Sequence, residues 1–195
     1  MVVGSYLIAT AAVAVLALLI LSFFAVRRSL RAWADYRGPQ VIVCPENHQP
    51  AGVNVDLRHA GKTSFFGAEP DLRLSSCSRW PEKAGCGQEC LSQLEAAPGE
   101  CSVRSMLEQW YRDKPCVFCR KTFGEIRWHD HKPSLVDAEG SFVEWGEIPA
   151  EKLPDMLNTH FPVCWNCDTI ERFRRDNPDL VTDISGRDRA SGVIR

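Results

Sequence analysis

No charged side chain precedes Arg27, and the chain lacks GxSxG, P-loop, GxGxxG and HExxH motifs. Those absences remove the usual sequence signatures of a hydrolase elbow, a phosphate cradle, a dinucleotide fold and a zinc protease. Broad basic charge is missing too. Lys+Arg number 23 against 25 Asp+Glu, a net charge of -2, which excludes a generally basic nucleic-acid footprint. No nucleic-acid partner is therefore expected. Charged residues make up 25% of the chain, near the globular average, so wholesale disorder is excluded as well. What the chain does have is cysteine, nine in 195 residues. That usage calls for an oxidising compartment or a metal.

The uncharged N-terminal stretch contains YLIATAAVAVLALLILSFFAV, Tyr6 to Val26. At about 1.5 Å per residue it makes a helix of roughly 30 Å, the thickness of a bilayer core. A cleaved signal peptide needs a positive n-region and a shorter apolar stretch. MVVGS carries no charge, and no small-x-small site lies between Phe23 and Arg31. The expectation is a retained single anchor. Arg27, Arg28, Arg31 and Arg37 follow the span against one acid, Asp35. The Lys/Arg-rich side stays in the cytoplasm, so the N-terminus is expected outside the cell membrane and residues 27–195 in the cytoplasm. Thiols stay reduced there, which turns nine cysteines from disulfide candidates into metal ligands. The reverse topology would read as a disulfide scaffold.

Four parts are expected: an anchor with a juxtamembrane helix (1–37), a Cys-rich α+β subdomain (38–112), a four-cysteine module (113–178) and a loose tail (179–195). Gly38-Pro39 ends the first helix. Residues 40–58 read as a hairpin, 60–71 as a loop and Leu72–Ser75 as a short strand. Helices are expected over 87–97, 103–112 with Ser102 as N-cap, 148–159 and 165–176. Val103, Met106, Leu107, Trp110 and Tyr111 recur at helical spacing and read as core. Strands are expected near Thr122–Trp128 and Ser141–Trp145.

Cys116-Val-Phe-Cys119 and Cys164-Trp-Asn-Cys167 are two CxxC pairs. A CxxC turn puts two sulfurs on one side of a tight loop. Two such turns facing each other supply four thiolates at tetrahedral corners, a closed structural Zn²⁺ site. With a knuckle pair, strands after it and a second pair opening a helix, roughly 116–176 resembles the treble-clef or zinc-ribbon type of zinc module. The resemblance implies metal binding and a small fold, and no particular activity. A thioredoxin-like redox use of Cys164 and Cys167 is the alternative there.

Cys44, Cys77, Cys86 and Cys90 form a candidate second site, with Cys86 and Cys90 expected on one helical face. The rival set is Cys77, Cys86, Cys90 and Cys101. A second Zn²⁺ or an Fe–S cluster could occupy such a site; the standard ferredoxin spacings are absent, which favours zinc. His129 and His131 would face one side of a strand, where a zinc hydrolase would use them. The surrounding hairpin favours a surface role. His48, His59 and His160 are isolated, capping or surface residues. Arg172, Arg174 and Arg175 suggest an anion contact, but residues 164–195 hold six Arg and six Asp/Glu, so a solvated face is expected.

The whole reads as a single transmembrane helix plus a small α+β cytoplasmic domain. It is expected to be a zinc-binding, non-enzymatic interaction or assembly module with a protein partner. The alternative is a membrane-tethered redox protein using an Fe–S cluster or CxxC thiols.

Overall fold

The computed structural model describes residues 2–67, 69–83 and 85–180, with side chains from residue 10 onward. The uncharged run folds as expected. Helix α1 covers Val2–Tyr36, and its apolar side chains, such as Leu16, Leu19 and Phe23, point outward, exposed. The helix is long and apolar enough to cross a membrane. Gly38 takes φ +82°, a left-handed conformation that glycine adopts without strain, and the chain turns into the folded part.

Strands β1 (Gln40–Val43) and β2 (Pro50–Val55) form the expected hairpin, and β3 (Leu74–Cys77) joins β2, all antiparallel. β3 lies two residues later than its sequence pattern suggests. In the β1–β2 turn His48 takes φ +55° and donates its N–H to the Cys44 carbonyl.

The segment expected as a loop at 60–71 is largely helix: α2 spans Leu57–Phe66. Two features outweigh its Gly and Thr. Asp56 caps the helix, accepting from the N–H groups of Arg58 and His59 at 3.0 Å, which satisfies orphan amides. Ala60 and Ser64 are buried, with Ala60 in one core cluster with Ala32 and Tyr36 of α1. Helical propensity is a weak prior beside such packing.

Helix α3 covers Leu91–Ala96, only the C-terminal part of the expected 87–97 helix. It stops at Ala97, just before Pro98, and Pro98 then opens a short turn of helix, α4 (Pro98–Cys101). Helix α5 (Val103–Tyr111) buries Val103, Leu107 and Tyr111, the expected face. Ser102 holds the N-cap position without a side-chain cap bond.

The second sheet departs most from expectation. No strand forms over 122–128; Thr122 makes a single bridge to Pro115. The sheet is instead β4 (Ser134–Val136) between β5 (Phe142–Val143) and β6 (Phe161–Val163), all antiparallel. The turn at 137–140 lies between β4 and β5. Ser141 N–H donates to the Asp137 carboxylate at 2.7 Å, and Gly140 has φ +84°. Helices α6 (Leu153–Thr159) and α7 (Trp165–Asp176) complete the fold near their expected places. β4 is fully buried, which three residues of mixed character do not announce.

Among the described residues, three hydrophobic clusters form the core. One lies under the first sheet and includes Ala32, Tyr36, Ile42, Cys44, Val53, Ala60, Leu74, Cys90 and Leu94. A second joins Val41 to Leu107, Tyr111, Trp128, Leu135 and Leu153. A third backs the CxxC pairs with Val117, Val136 and Val163. The tail expected over 179–195 lies mostly at 181–195, outside the described residues.

Candidate metal centre

The first CxxC pair sits on a knuckle. Cys116 N–H donates to the Lys121 carbonyl at 2.9 Å, and Arg120 N–H donates to the Cys116 carbonyl at 2.9 Å. Arg120 takes φ +62°, which wraps the chain back so that both sulfurs of the pair lie beside those of Cys164 and Cys167. Val117 N–H donates to the Pro162 carbonyl at 3.0 Å, tying the knuckle to β6. The second pair follows directly from that strand. Cys164 is the N-cap residue of α7 and Cys167 lies in its first turn. Register pairs Ser134 with Val163, so β4 fixes the strand that delivers Cys164.

The result is a cluster of four sulfurs, from Cys116, Cys119, Cys164 and Cys167, all within 4.8 Å of one another. Among the described residues it is the group of Cys, His, Asp or Glu that could hold a metal ion. Cys119 Sγ and Cys164 Sγ are 3.7 Å apart. A Zn–S bond of about 2.3 Å in a tetrahedron places sulfurs about 3.8 Å apart, so this edge fits a four-thiolate ion. Cys164 N–H points at Cys116 Sγ at 3.4 Å, the kind of backbone donor that supports a thiolate. Cys116 is fully buried, Cys119 exposed and the other two half-buried.

The four thiols do not share one protonation tendency. Burial raises Cys164 and Cys167 above the ordinary thiol value, and neighbouring thiols add to this at Cys167. Burial also opposes ionisation of Cys119, but the Lys121 N–H and hydrogen bonds from the other three thiols offset it, so Cys119 lies below the usual value. The shifts run in opposite directions within one group of four close sulfurs, so their titrations are linked.

The histidines stand outside this set. Trp128 to Asp130 form a turn, so His129 and His131 do not share the face of a strand. His131 Nδ1 pairs with Asp130 at 2.7 Å, and its ring meets Trp165 edge-on at 4.3 Å. His59 Nε2 pairs with Asp71 at 2.6 Å and His160 Nδ1 meets Thr159 Oγ1 at 2.9 Å. Arg172 and Arg174 pair with Asp168 and Glu171 on their own helix, and Arg175 donates to the Gly140 carbonyl. Arg172 and Arg174 thus find partners on their own helix, while Arg175 reaches across to the β4–β5 turn and Arg172 also approaches Glu144 at 4.0 Å.

The upstream cysteines gather differently. Cys44, Cys77, Cys86 and Cys90 line one cavity of about 90 Å³; Cys101 is not among its lining residues, and its Sγ lies 3.8 Å from the Gln93 carbonyl. Cys86 and Cys90 do not sit on a helical face. They flank a loop in which Gln88 takes φ +57°, and Cys90 is the residue before α3. Burial, then the nearby Cys86, Cys77 and Cys44, push the Cys90 thiol up to about 11. Sequence spacing does not show the cation at this cavity: Arg79 Nη1 donates to Cys44 Sγ at 3.0 Å. An arginine two residues after Cys77 carries no such signal until the fold brings Cys44 to it.

No family model, no curated protein and no solved structure matches this chain. The four-cysteine cluster and the apolar helix are compatible with a membrane-anchored metal-binding protein.

Proposed function

We propose that the chain is a single-pass membrane protein whose cytoplasmic part is organised by a structural Zn²⁺ on Cys116, Cys119, Cys164 and Cys167. In this reading it works as a non-enzymatic interaction or assembly module for a protein partner. The observation that carries it is the mutual proximity of the four sulfurs. Four thiolates with no open position make a closed site, typical of structural zinc. A knuckle followed by a strand-to-helix pair is the treble-clef pattern, and the zinc-module reading rests on it.

The membrane side of the reading rests on two features. Apolar side chains of α1 stand exposed in a continuous run, which is unfavourable in water and favourable in lipid. Arginines cluster at the C-terminal end of that run, which supports a cytoplasmic position for the following domain under the positive-inside rule. Arg37 lies over the Trp33 ring at 5.1 Å, a pairing suited to the bilayer interface.

The test is metal analysis of the detergent-extracted full chain, together with reporter fusions at each terminus. Zinc lost on Cys164→Ser, and a reporter active only on the cytoplasmic side at the C-terminus, support the reading. Zinc retained by that variant, or a C-terminal reporter active outside, overturns it.

A further inference from the structure

We propose that the upstream cavity is a second metal site of a different kind, in which Cys44, Cys77, Cys86 and Cys90 hold an iron–sulfur cluster and not a single zinc ion.

The argument is a comparison between two four-cysteine sets in one chain. The downstream sulfurs close on one another within 4.8 Å, as a mononuclear ion requires. The upstream sulfurs form no such mutual group among the described residues, yet all four line one cavity. Its volume, about 90 Å³, is several times the roughly 10–15 Å³ that one water occupies on the same measure. A lone zinc with sulfurs at about 2.3 Å leaves no interior space. A polynuclear iron–sulfide core places its own bulk between four thiolates.

The spacing is built into the backbone. Cys44 is pinned beside β1, its N–H donating to the Gln49 carbonyl at 2.9 Å. Cys77 ends β3 and pairs with Val53. Gln88 anchors the Cys86–Cys90 loop to β3, its Oε1 accepting from Leu74 N–H at 2.9 Å. Gln93 fixes α3 to the edge of β1, accepting from Val43 N–H at 3.0 Å and donating to the Val43 carbonyl at 2.7 Å. Each cysteine thus rides on a segment held by its own hydrogen bonds, so the set does not collapse onto one small ion without breaking them.

The surroundings suit a cluster. Ile42, Ala51, Leu74 and Trp80 supply much of the wall, an apolar shell that limits water access. Hydrogen bonds to ligand sulfur tune such centres, and two are in place: Gln88 N–H to Cys86 Sγ at 3.4 Å and Arg79 Nη1 to Cys44 Sγ at 3.0 Å. Lys83 also lines the cavity, paired with Glu46. Chain spacing alone favours zinc over iron here, because the four ligands follow none of the usual ferredoxin runs.

The experiment uses the full chain, extracted in detergent and purified without oxygen, with zinc, iron and acid-labile sulfide measured per chain. The expected result is iron and sulfide in equal amounts, with a broad visible absorption that bleaches under dithionite. Cys86→Ser and Cys90→Ser should lose iron and sulfide. Cys101→Ser, outside the cavity, should keep both. Zinc should remain at about one per chain in the upstream variants, which separates failure here from failure at the downstream centre. Wild-type protein with two zinc ions and no sulfide, with two disulfides, or with four freely alkylated upstream thiols would each overturn the proposal without reliance on any variant folding.

Discussion

Cys119 and Cys164 are 45 positions apart in the chain, and their Sγ atoms lie 3.7 Å from each other. Their neighbours in sequence are joined directly, Val117 N–H donating to the Pro162 carbonyl at 3.0 Å. Cys119 is set by the knuckle and its left-handed Arg120. Cys164 is set by β6, which pairs with the buried strand β4. The cluster is where the knuckle and the strand-to-helix turn meet over a shared core of Val117, Val136 and Val163, so a cation shared between them would reinforce a junction the backbone already makes.

Replacing Cys116 or Cys164 by Ser should release the metal and unfold the C-terminal region together. Structural zinc is worth about 10–16 kcal/mol in small modules, comparable with the whole net stability of a domain, about 5–15 kcal/mol. Metal content and circular dichroism of the same sample check this; unchanged melting with full metal would contradict it.

His129→Ala and His131→Ala should leave metal content unchanged. His131 packs against Trp165 and pairs with Asp130, so its loss costs surface contacts and no ligand. Loss of zinc from either variant would place a histidine in the coordination set after all.

The pH response should have opposite signs with and without metal. Cys164, Cys167 and Cys90 bind their protons more tightly in the fold than ordinary thiols do, Cys90 up to about 11. A raised value contributes stability below the unfolded thiol value, about 8.5, and loses it as pH rises through the folded value. Cys119, lowered, acts in the other direction at one site. In chelated protein the part that stays folded around Cys90 should therefore melt lower as pH goes from about 8.5 to 11. Metal-loaded protein should instead weaken on acidification, when protons compete for the thiolates. Melting temperatures across both ranges decide it.

Gly52→Ala should destabilise the packing of β2 on the 3₁₀ turn at Ala150–Lys152. A methyl group there would sit 3.0 Å from Ala150 Cβ and 2.7 Å from Glu151 Oε2. The Glu151 side chain can swing away, but Ala150 cannot move without its backbone. Overpacking of this kind costs about 1–3 kcal/mol, readable as a shift in denaturant midpoint. No shift would mean the two segments separate easily.

Tyr111→Phe should cost about 1–3 kcal/mol, the range for orphaning a buried partner. Its hydroxyl donates to the Ser134 carbonyl at 2.8 Å, and the ring is buried. This bond ties α5 to the start of β4, so hydrogen exchange at Leu135 and Val136 should quicken in the variant. Unchanged exchange would show that β4 is held by its neighbours alone.

Local signals determined much of this protein. The uncharged run sets α1, Gly38-Pro39 its end, the β-branched QVIV run the first hairpin, and the Val103–Tyr111 spacing the buried face of α5. The CxxC pairs, read by spacing alone, name the four residues that the fold brings together, because a CxxC turn is local and needs only a facing partner. Tertiary structure decided the rest. β4 and β6 are three residues each, too short to carry a period, and they exist because partners bury them. α2 overrode its turn-rich sequence because a cap and a buried face on α1 repaid the weak propensity. The separation of the upstream sulfurs is the clearest case: it depends on where Gln88 and Gln93 clamp distant backbones, and a chain position says nothing about the distance between segments until those long-range hydrogen bonds are made.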